Sequence, residues 1–203
     1  MVVGRTTSVT PSPSRSGPSA ARRTSRSGST PEDTMAVSIE VRVAEVHEYD
    51  RVSEIMLTAY GTLPGFRLEG AYAEELADVA GRSASTLQLV AVDGGTGAIL
   101  GAVTYLDDAA SPYAQPMRED EAALRMLGVD PASQGRGVGA ALVQACIDRA
   151  RQDGRARLVL HTTEWMTAGR RLYERLGFRR SPERDSTVED RIHLLGYVLE
   201  VGP

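Results

Sequence analysis

Lysine and asparagine are absent from the chain, and cysteine, histidine and tryptophan are rare. All 23 basic residues are therefore arginines, a bias that indicates a GC-rich genome rather than arginine chemistry. The single cysteine, Cys146, excludes an intrachain disulfide framework and a multi-cysteine metal site. Three scattered histidines lack metal-ligand spacing, so the sequence predicts no metal. No apolar run approaches the ~18 residues that a membrane-spanning helix needs.

Length and charge narrow the class of protein further. The chain has 203 residues, of which 41% are hydrophobic and 25% charged, enough for one domain with a core. A net charge of −4 and a pI near 5.5 argue against a nucleic-acid-binding surface. We therefore expect a cytoplasmic protein with neither a nucleic-acid nor a membrane partner.

Residues 1–35 differ in composition from the rest. Serine, threonine, proline, glycine and arginine dominate there, which predicts a disordered tail because such a segment buries too little apolar surface. The arginine and serine content loosely resembles a transit peptide, although the prolines argue against an amphipathic helix. A gene start placed too far upstream is the plainer alternative, since Met35 stands directly before the first patterned segment. Residues 36–203 form the predicted domain.

Hydrophobic periodicity predicts alternating strands and helices from residue 36 onward. The predicted strands are 37–43, 87–92, 99–105, 122–129, 158–162, 178–180 and 192–201, and the predicted helices are 48–60, 71–80, 137–152 and 167–176. The glycine-rich residues 93–97 predict a hairpin. A strand, helix and strand over 122–162 form a right-handed crossover, which makes those strands parallel. The fold class is α/β, with a mixed sheet and helices on both faces.

A glycine-rich turn follows the strand that ends at Val129 and reads Gln-Gly-Arg-Gly-Val-Gly-Ala over residues 134–140. Glycines let successive N–H groups converge, and a helix N-terminus adds free donors with a positive dipole end. The pattern predicts a diphosphate site, with a simple helix-capping turn as the alternative. A Walker A loop needs a lysine, which the chain lacks. A dinucleotide fingerprint needs a third glycine, and Leu142 stands there.

The same turn resembles the Gln/Arg-x-x-Gly-x-Gly/Ala signature of the GCN5-related N-acetyltransferase (GNAT) superfamily. Residues 171–178, Arg-Leu-Tyr-Glu-Arg-Leu-Gly-Phe, are similar to a C-terminal element of that family. The resemblance extends over residues 37–201. It implies a mixed, mostly antiparallel sheet of six to seven strands, with helices on both faces and a parallel β-α-β core at the cofactor site.

The resemblance also implies an activity, which is acetyl transfer from acetyl-CoA, a co-substrate, to a primary amine of a small molecule or peptide. The strand backbone at Leu127 and Val129 is expected to pair with the pantetheine arm. The residues expected to hold the diphosphate are Gln134, Gly135, Arg136, Gly137, Val138, Gly139 and Ala140. Tyr173 takes the role of the acid that protonates the leaving thiolate.

The general base is left open by the sequence. Histone-acetylating relatives have a glutamate where Ala123 stands. Glu121 lies two residues earlier on the same strand face and is the predicted base, with a solvated strand start as the alternative. His161 and Glu164 are further candidates, although a hydrogen-bonded structural role is the simpler interpretation of His161. Many relatives have a pantetheine-binding asparagine where Met166 stands.

Two other functions compete with the enzyme. Ala123 and Met166 favour a catalytically silent domain that binds or senses an acyl-CoA. An interaction module with an emptied cofactor turn is the third hypothesis, and the intact glycines argue against it. The sequence leaves the acceptor and the oligomeric state open, and a homodimer through the C-terminal strands is compatible with it. Arg184 alternates with acidic neighbours and is expected on a solvated face.

Overall fold

The computed structural model describes residues 38–63, 66–188 and 192–202. The tail predicted over 1–35 lies outside the described residues and stays a prediction. The strands are β1 (Ile39–Val43), β2 (Leu87–Asp93), β3 (Ile99–Leu106), β4 (Glu121–Val129), β5 (Arg157–Thr162), β6 (Arg179–Arg180), β7 (Ser186–Val188) and β8 (Ile192–Glu200). The helices are α1 (Tyr49–Gly61), α2 (Gly70–Ala77), α3 (Val79–Ser83), α4 (Val138–Gln152) and α5 (Thr167–Arg175).

The strands form a mixed sheet in the order β1-β2-β3-β4-β5-β8-β6, with β7 paired to β8. The pair β4 and β5 is parallel because α4 carries the chain back across the sheet between them, and the other pairs are antiparallel. This confirms the predicted fold class. The described residues form eight strands rather than six to seven, since β7 is too short to show a periodic pattern.

Helices cover both faces of the sheet because each has one apolar stripe. On what we call the α4 face, Leu142 and Cys146 of α4 pack with Leu124 and Leu158 of the sheet, and α5 joins this cluster. On the opposite α1 face, α1, α2 and α3 pack over β2, β3 and the end of β4. None of the described helices is long and apolar enough to cross a bilayer.

The helix predicted over 71–80 is two helices. Asp78 has φ −79° and ψ 70°, which interrupts the helical backbone between α2 and α3. Its carboxylate accepts a hydrogen bond from the Gly81 N–H at 2.8 Å and so caps the start of α3. The prediction of one continuous helix is wrong because hydrophobic spacing does not register this capping bond.

Candidate active site

Strands β4 and β5 are paired at one end only. Their parallel ladder ends at the pair Ala123 and Val159. Beyond it, β4 runs on to Val129 and β5 to Thr162, two stretches that the structure describes in full and that make no pairs with each other. Their facing backbone groups therefore lack the partners that a continuous sheet would supply. The result is a wedge-shaped opening in the middle of the sheet, which we call the cleft.

A β-bulge in β4 lies beside this cleft. Met126 and Leu127 together stand opposite Val103 of β3, where the register shifts. Met126 has φ 51°, and no other non-glycine residue in the described ranges has a positive φ. The extra residue reverses the alternation of side chains, so that Leu124 packs on the α4 face but Met126 on the α1 face. Because of the bulge, side chains two residues apart on either side of it point to opposite faces of the sheet.

The glycine-rich turn connects β4 to α4 and presents a row of free amides. Gly135 and Gly137 have φ values of +77° and +86°, which glycine adopts without strain. The turn is exposed, and α4 begins at Val138. Gln134 donates its N–H to a carbonyl of the preceding turn at 3.4 Å, whereas no N–H from Gly135 through Ala140 donates to any part of the chain that the structure describes. Six adjacent free donors at a helix N-terminus are the kind of arrangement that can bind an anion.

Arg136 and Gly139 of the turn contact neighbouring elements. The Arg136 guanidinium lies 3.3 Å from the Asp93 carboxylate of the β2–β3 hairpin, an exposed pair of little energetic weight. A Cβ on Gly139 would lie 3.2 Å from Leu172 and 3.7 Å from Val129. Glycine at this position therefore lets the first turn of α4 approach α5 and β4 closely.

Tyr173 of α5 approaches the cleft from the α4 face. It is buried, and its ring packs edge-on against Phe178 at 5.9 Å between centroids. Its hydroxyl has no hydrogen-bond partner in the described ranges and would lie 3.8 Å from a Cβ on Gly169. Burial raises the pKa of Tyr173, so the phenol keeps its proton at neutral pH and can act as a donor.

Glu121 lies at the paired end of β4 and is fully buried. Its oxygens accept hydrogen bonds from Arg184 at 3.0 and 2.5 Å, from Arg157 at 3.4 Å and from the N–H of Arg118 at 2.9 Å. Burial alone would raise the pKa of Glu121, but the bonds from Arg184 and Arg118 outweigh it, and the pKa is lowered. Both oxygens are thus occupied by donors, and a carboxylate with a lowered pKa is a weak proton acceptor.

The expectation that Arg184 lies on a solvated face is wrong. Its side chain is 12% exposed and forms the ion pair with Glu121. The two residues are far apart in the sequence, so local alternation of charges could not reveal the contact. Glu121 as the general base stays a prediction, and its contacts favour a structural role instead.

The remaining candidates from the sequence lie near the C-terminal end of β5. His161 has its Nε2 at 2.8 Å from the carbonyl oxygen of Arg184. Met166 caps α5, and its sulfur lies 3.5 Å from the Thr162 hydroxyl. Glu164 is exposed. The structure therefore brings His161, rather than Glu164, into the packed part of the site.

Sequence reasoning missed a polar group on the α1 face of the cleft. Burial, and after it the neighbouring hydroxyls of Tyr72 and Tyr173, raise the pKa of Tyr60. Arg125 of β4 lies beside them and pairs with Glu75 of α2 at 3.2 Å. Arg125 is a lone charge inside an apolar strand, a signal that could have drawn notice. The tyrosines gave no signal because they follow the ordinary apolar stripe of their helices.

A family model described as the acetyltransferase (GNAT) family matches residues 49–178. The match spans more than half of the chain, and the chain belongs to this family. This confirms, at the level of the family, the prediction made from the two sequence motifs.

One curated protein matches part of the sequence, and solved structures share the fold. A mycothiol acetyltransferase from Streptosporangium roseum is 47% identical over 55 residues, which span 27% of this chain but only 16% of that protein. The fold is similar to that of yncA from Salmonella typhimurium, solved with its cofactor acetyl-CoA, with 22% identity, a TM-score of 0.60 and coverage of 80% of this chain and 94% of that one. A GNAT-family acetyltransferase from Staphylococcus aureus Mu50 has 13% identity, a TM-score of 0.63 and coverage of 81% and 99%.

Replacing Glu121 tests the ion pairs at the paired end of the cleft. Glu121→Gln is expected to lower the free energy of unfolding by about 3–5 kcal/mol at pH 7, because it leaves the buried Arg184 without its carboxylate. The lowered pKa means that this stabilisation is complete above the ordinary value of 4.5 and is lost as the pH falls below it. The difference between wild type and variant should therefore narrow in acid. Urea denaturation between pH 7 and pH 3 measures both effects.

Glu200→Gln is the matched control. Its carboxylate is 72% exposed and pairs with Arg157 at 3.0 Å, so its removal should cost less than about 1 kcal/mol. Equal costs for the two variants would contradict a structural role for Glu121.

Proposed function

We propose that the chain is an N-acetyltransferase that moves the acetyl group of acetyl-CoA to a primary amine of a small molecule or peptide. Family membership supports acetyl transfer, and so does the name of the mycothiol acetyltransferase that it partly matches. The acetyl-CoA bound to yncA supports the choice of cofactor. The observation that carries the proposal is the row of free amides from Gly135 to Ala140 beside the unpaired edge of β4.

The turn before α4 fits a diphosphate. The amides from Gly135 to Ala140 are consecutive and unused by the described residues, and residues 135–137 are exposed. The positive end of the α4 dipole adds attraction for a doubly charged group. The Gln134 N–H is less available than its neighbours, since it already donates to the Pro131 carbonyl at 3.4 Å. Arg136 could reach a phosphate only by giving up its exposed pair with Asp93, an exchange that costs little.

The open half of β4 fits an extended amide-bearing chain. Backbone groups near Leu127 and Val129 face the cleft rather than a strand, and pantetheine carries amides that can pair with them as an added strand would. This arrangement directs the thioester from the turn into the cleft. The acceptor amine then approaches from the α1 face, where Tyr60 and Arg125 lie.

Tyr173 fits the role of the acid that protonates the departing thiolate. Its phenol is neutral because burial raises its pKa, and its hydroxyl is free of partners in the described ranges. Glu121 fits the role of base poorly because arginines hold both of its oxygens.

The runner-up is an acyl-CoA sensor without catalysis. Ala123 and Met166 stand where relatives have polar groups, and this departure is what favours it. Binding of acetyl-CoA without release of CoA in the presence of any amine would support the sensor. A cytoplasmic location, the lack of nucleic-acid and membrane partners, and a homodimer stay predictions.

Ala140→Asp tests the diphosphate site. An acidic residue in the first turn of α4 favours the helix dipole, so folding should be preserved. The same charge repels the diphosphate, and the Kd of acetyl-CoA should rise at least about tenfold. Isothermal calorimetry measures the Kd, and thermal unfolding checks the fold. Ala140→Asn has the same shape without the charge and should bind much better than the aspartate. Equal affinity of the two variants would contradict the site.

Tyr173→Phe tests the acid. The variant should release CoA roughly 10²-fold more slowly at saturating substrate, with the Kd of acetyl-CoA unchanged, because only the proton donor is lost. The assay follows free thiol with amino acids, polyamines, amino sugars and short peptides as acceptors. Tyr49→Phe, at the start of α1, is the control and should keep the wild-type rate. A Tyr173→Phe enzyme as fast as wild type would exclude the assigned role.

A further inference from the structure

His161 lies where the cleft begins and on the face opposite to Tyr173. The ladder of β4 and β5 ends at Val159, so His161 belongs to the part of β5 that pairs with β8 but no longer with β4. Leu158 and Leu160 pack on the α4 face, and alternation along the strand therefore directs His161 to the α1 face. An acceptor amine entering from the α1 face would meet this imidazole beside the thioester.

The hydrogen bond of His161 determines which ring nitrogen is a base. Nε2 lies 2.8 Å from the carbonyl oxygen of Arg184, and because a carbonyl only accepts, Nε2 must carry the proton. The lone pair of the neutral ring is then on Nδ1, for which the described residues supply no hydrogen-bond partner. A proton acceptor that is neutral, oriented and free is what amine deprotonation requires.

Burial, supported by two nearby guanidinium groups, keeps the His161 ring neutral. Burial lowers the pKa of His161, and the guanidinium groups of Arg184 and Arg125 lower it further. The bond to the Arg184 carbonyl and the carboxylate of Asp185 act in the opposite direction but do not prevail. The imidazole is therefore unprotonated at neutral pH, ready to accept a proton.

The carbonyl that orients His161 is held firmly. The Arg184 guanidinium donates to both carboxylate oxygens of Glu121, and the backbone N–H of Arg184 donates to the Ser181 carbonyl at 2.9 Å. A Cβ on Gly196 would lie 2.5 Å from the Arg184 Cβ, so β8 packs tightly against this turn. The buried ion pair thus holds the carbonyl that selects the tautomer of the histidine.

Other groups on the α1 face of the cleft are poor bases. Ala123 offers no proton acceptor, and Arg125 is cationic. Tyr60 and Tyr72 have raised pKa values, so their phenols stay protonated. Glu75 is paired with Arg125. The described residues of this face therefore leave the imidazole as the group suited to take a proton at neutral pH.

We propose that His161 is the general base of the acetyl transfer, an inference that rests on the proposed function. The amine nitrogen forms a bond to the thioester carbonyl carbon, and His161 Nδ1 takes the proton that the nitrogen loses, directly or through one water. The carbon–sulfur bond breaks, and its electron pair leaves on sulfur, which receives a proton from Tyr173. The imidazolium then returns its proton to the tyrosinate through solvent, and the enzyme regains its starting state.

His161→Gln is the variant that separates a base from a structural residue. The amide NH₂ of glutamine can still donate to the Arg184 carbonyl, but its side chain has no basic nitrogen. The variant should keep the thermal midpoint and the Kd of acetyl-CoA, and its kcat/KM for the amine should fall about 10²–10⁴-fold. In the wild type, kcat/KM should drop below an apparent pKa under 6.5. This fall of kcat/KM at low pH should be missing in the variant. Any fall caused by protonation of the amine substrate itself should persist in both enzymes.

His193→Gln is the control, because His193 is exposed and lies beside Asp185 at 3.5 Å. It should keep the rate and pH profile of the wild type. A His161→Gln enzyme with more than half of the wild-type kcat/KM, or with the fall at low pH intact, would overturn the base. A His161→Gln variant that loses acetyl-CoA binding or its fold would also overturn the base, since His161 would then have a structural role. A wild-type chain that transfers acetyl to no amine would overturn the proposed function itself, and the base with it.

Discussion

The early end of the β4–β5 ladder is the constraint on which the site depends. Two parallel strands that separate after Ala123 leave backbone groups without partners in the middle of a sheet, where such groups are costly. A bound chain with its own amides would satisfy them. The bulge at Met126, the turn into α4 and the two residues proposed for proton transfer all lie around this opening. Tyr173 reaches it from one face of the sheet and His161 from the other.

The paired end of the same strands is held by charge in addition to apolar packing. Glu121 is buried among guanidinium donors from β5 and from the turn before β7. A buried ion pair contributes modest net stability, but removing one partner is costly. The main effect of the network is therefore to fix the relative positions of the segments that it connects. It holds the strands together at the apex of the wedge and sets the position of the carbonyl that His161 contacts.

Local patterns in the sequence predicted most of the fold and the position of the glycine-rich turn. Alternation of apolar and polar residues predicted the strands, and the glycines before Val138 predicted a turn with free amides. Both features depend on residues that are close in the sequence. Contacts between residues far apart in the sequence leave no such local pattern, and they were missed. The pair of Arg184 with Glu121 joins distant segments, so local charge alternation placed Arg184 wrongly on a solvated face. The break at Asp78 depends on one capping bond that no periodicity records. His161 entered as a candidate, but its tautomer follows only from a carbonyl on another element.

The most direct test of the proposed cofactor site is whether the backbone amides of residues 135–140 change their NMR chemical shifts when CoA is added. Uniformly ¹⁵N-labelled protein is titrated with CoA, and backbone amide shifts are followed. We predict the largest chemical-shift changes at Gly135, Gly137 and Gly139, whose N–H groups have no partner among the described residues. Unchanged glycine amides in a protein that binds CoA elsewhere would contradict it.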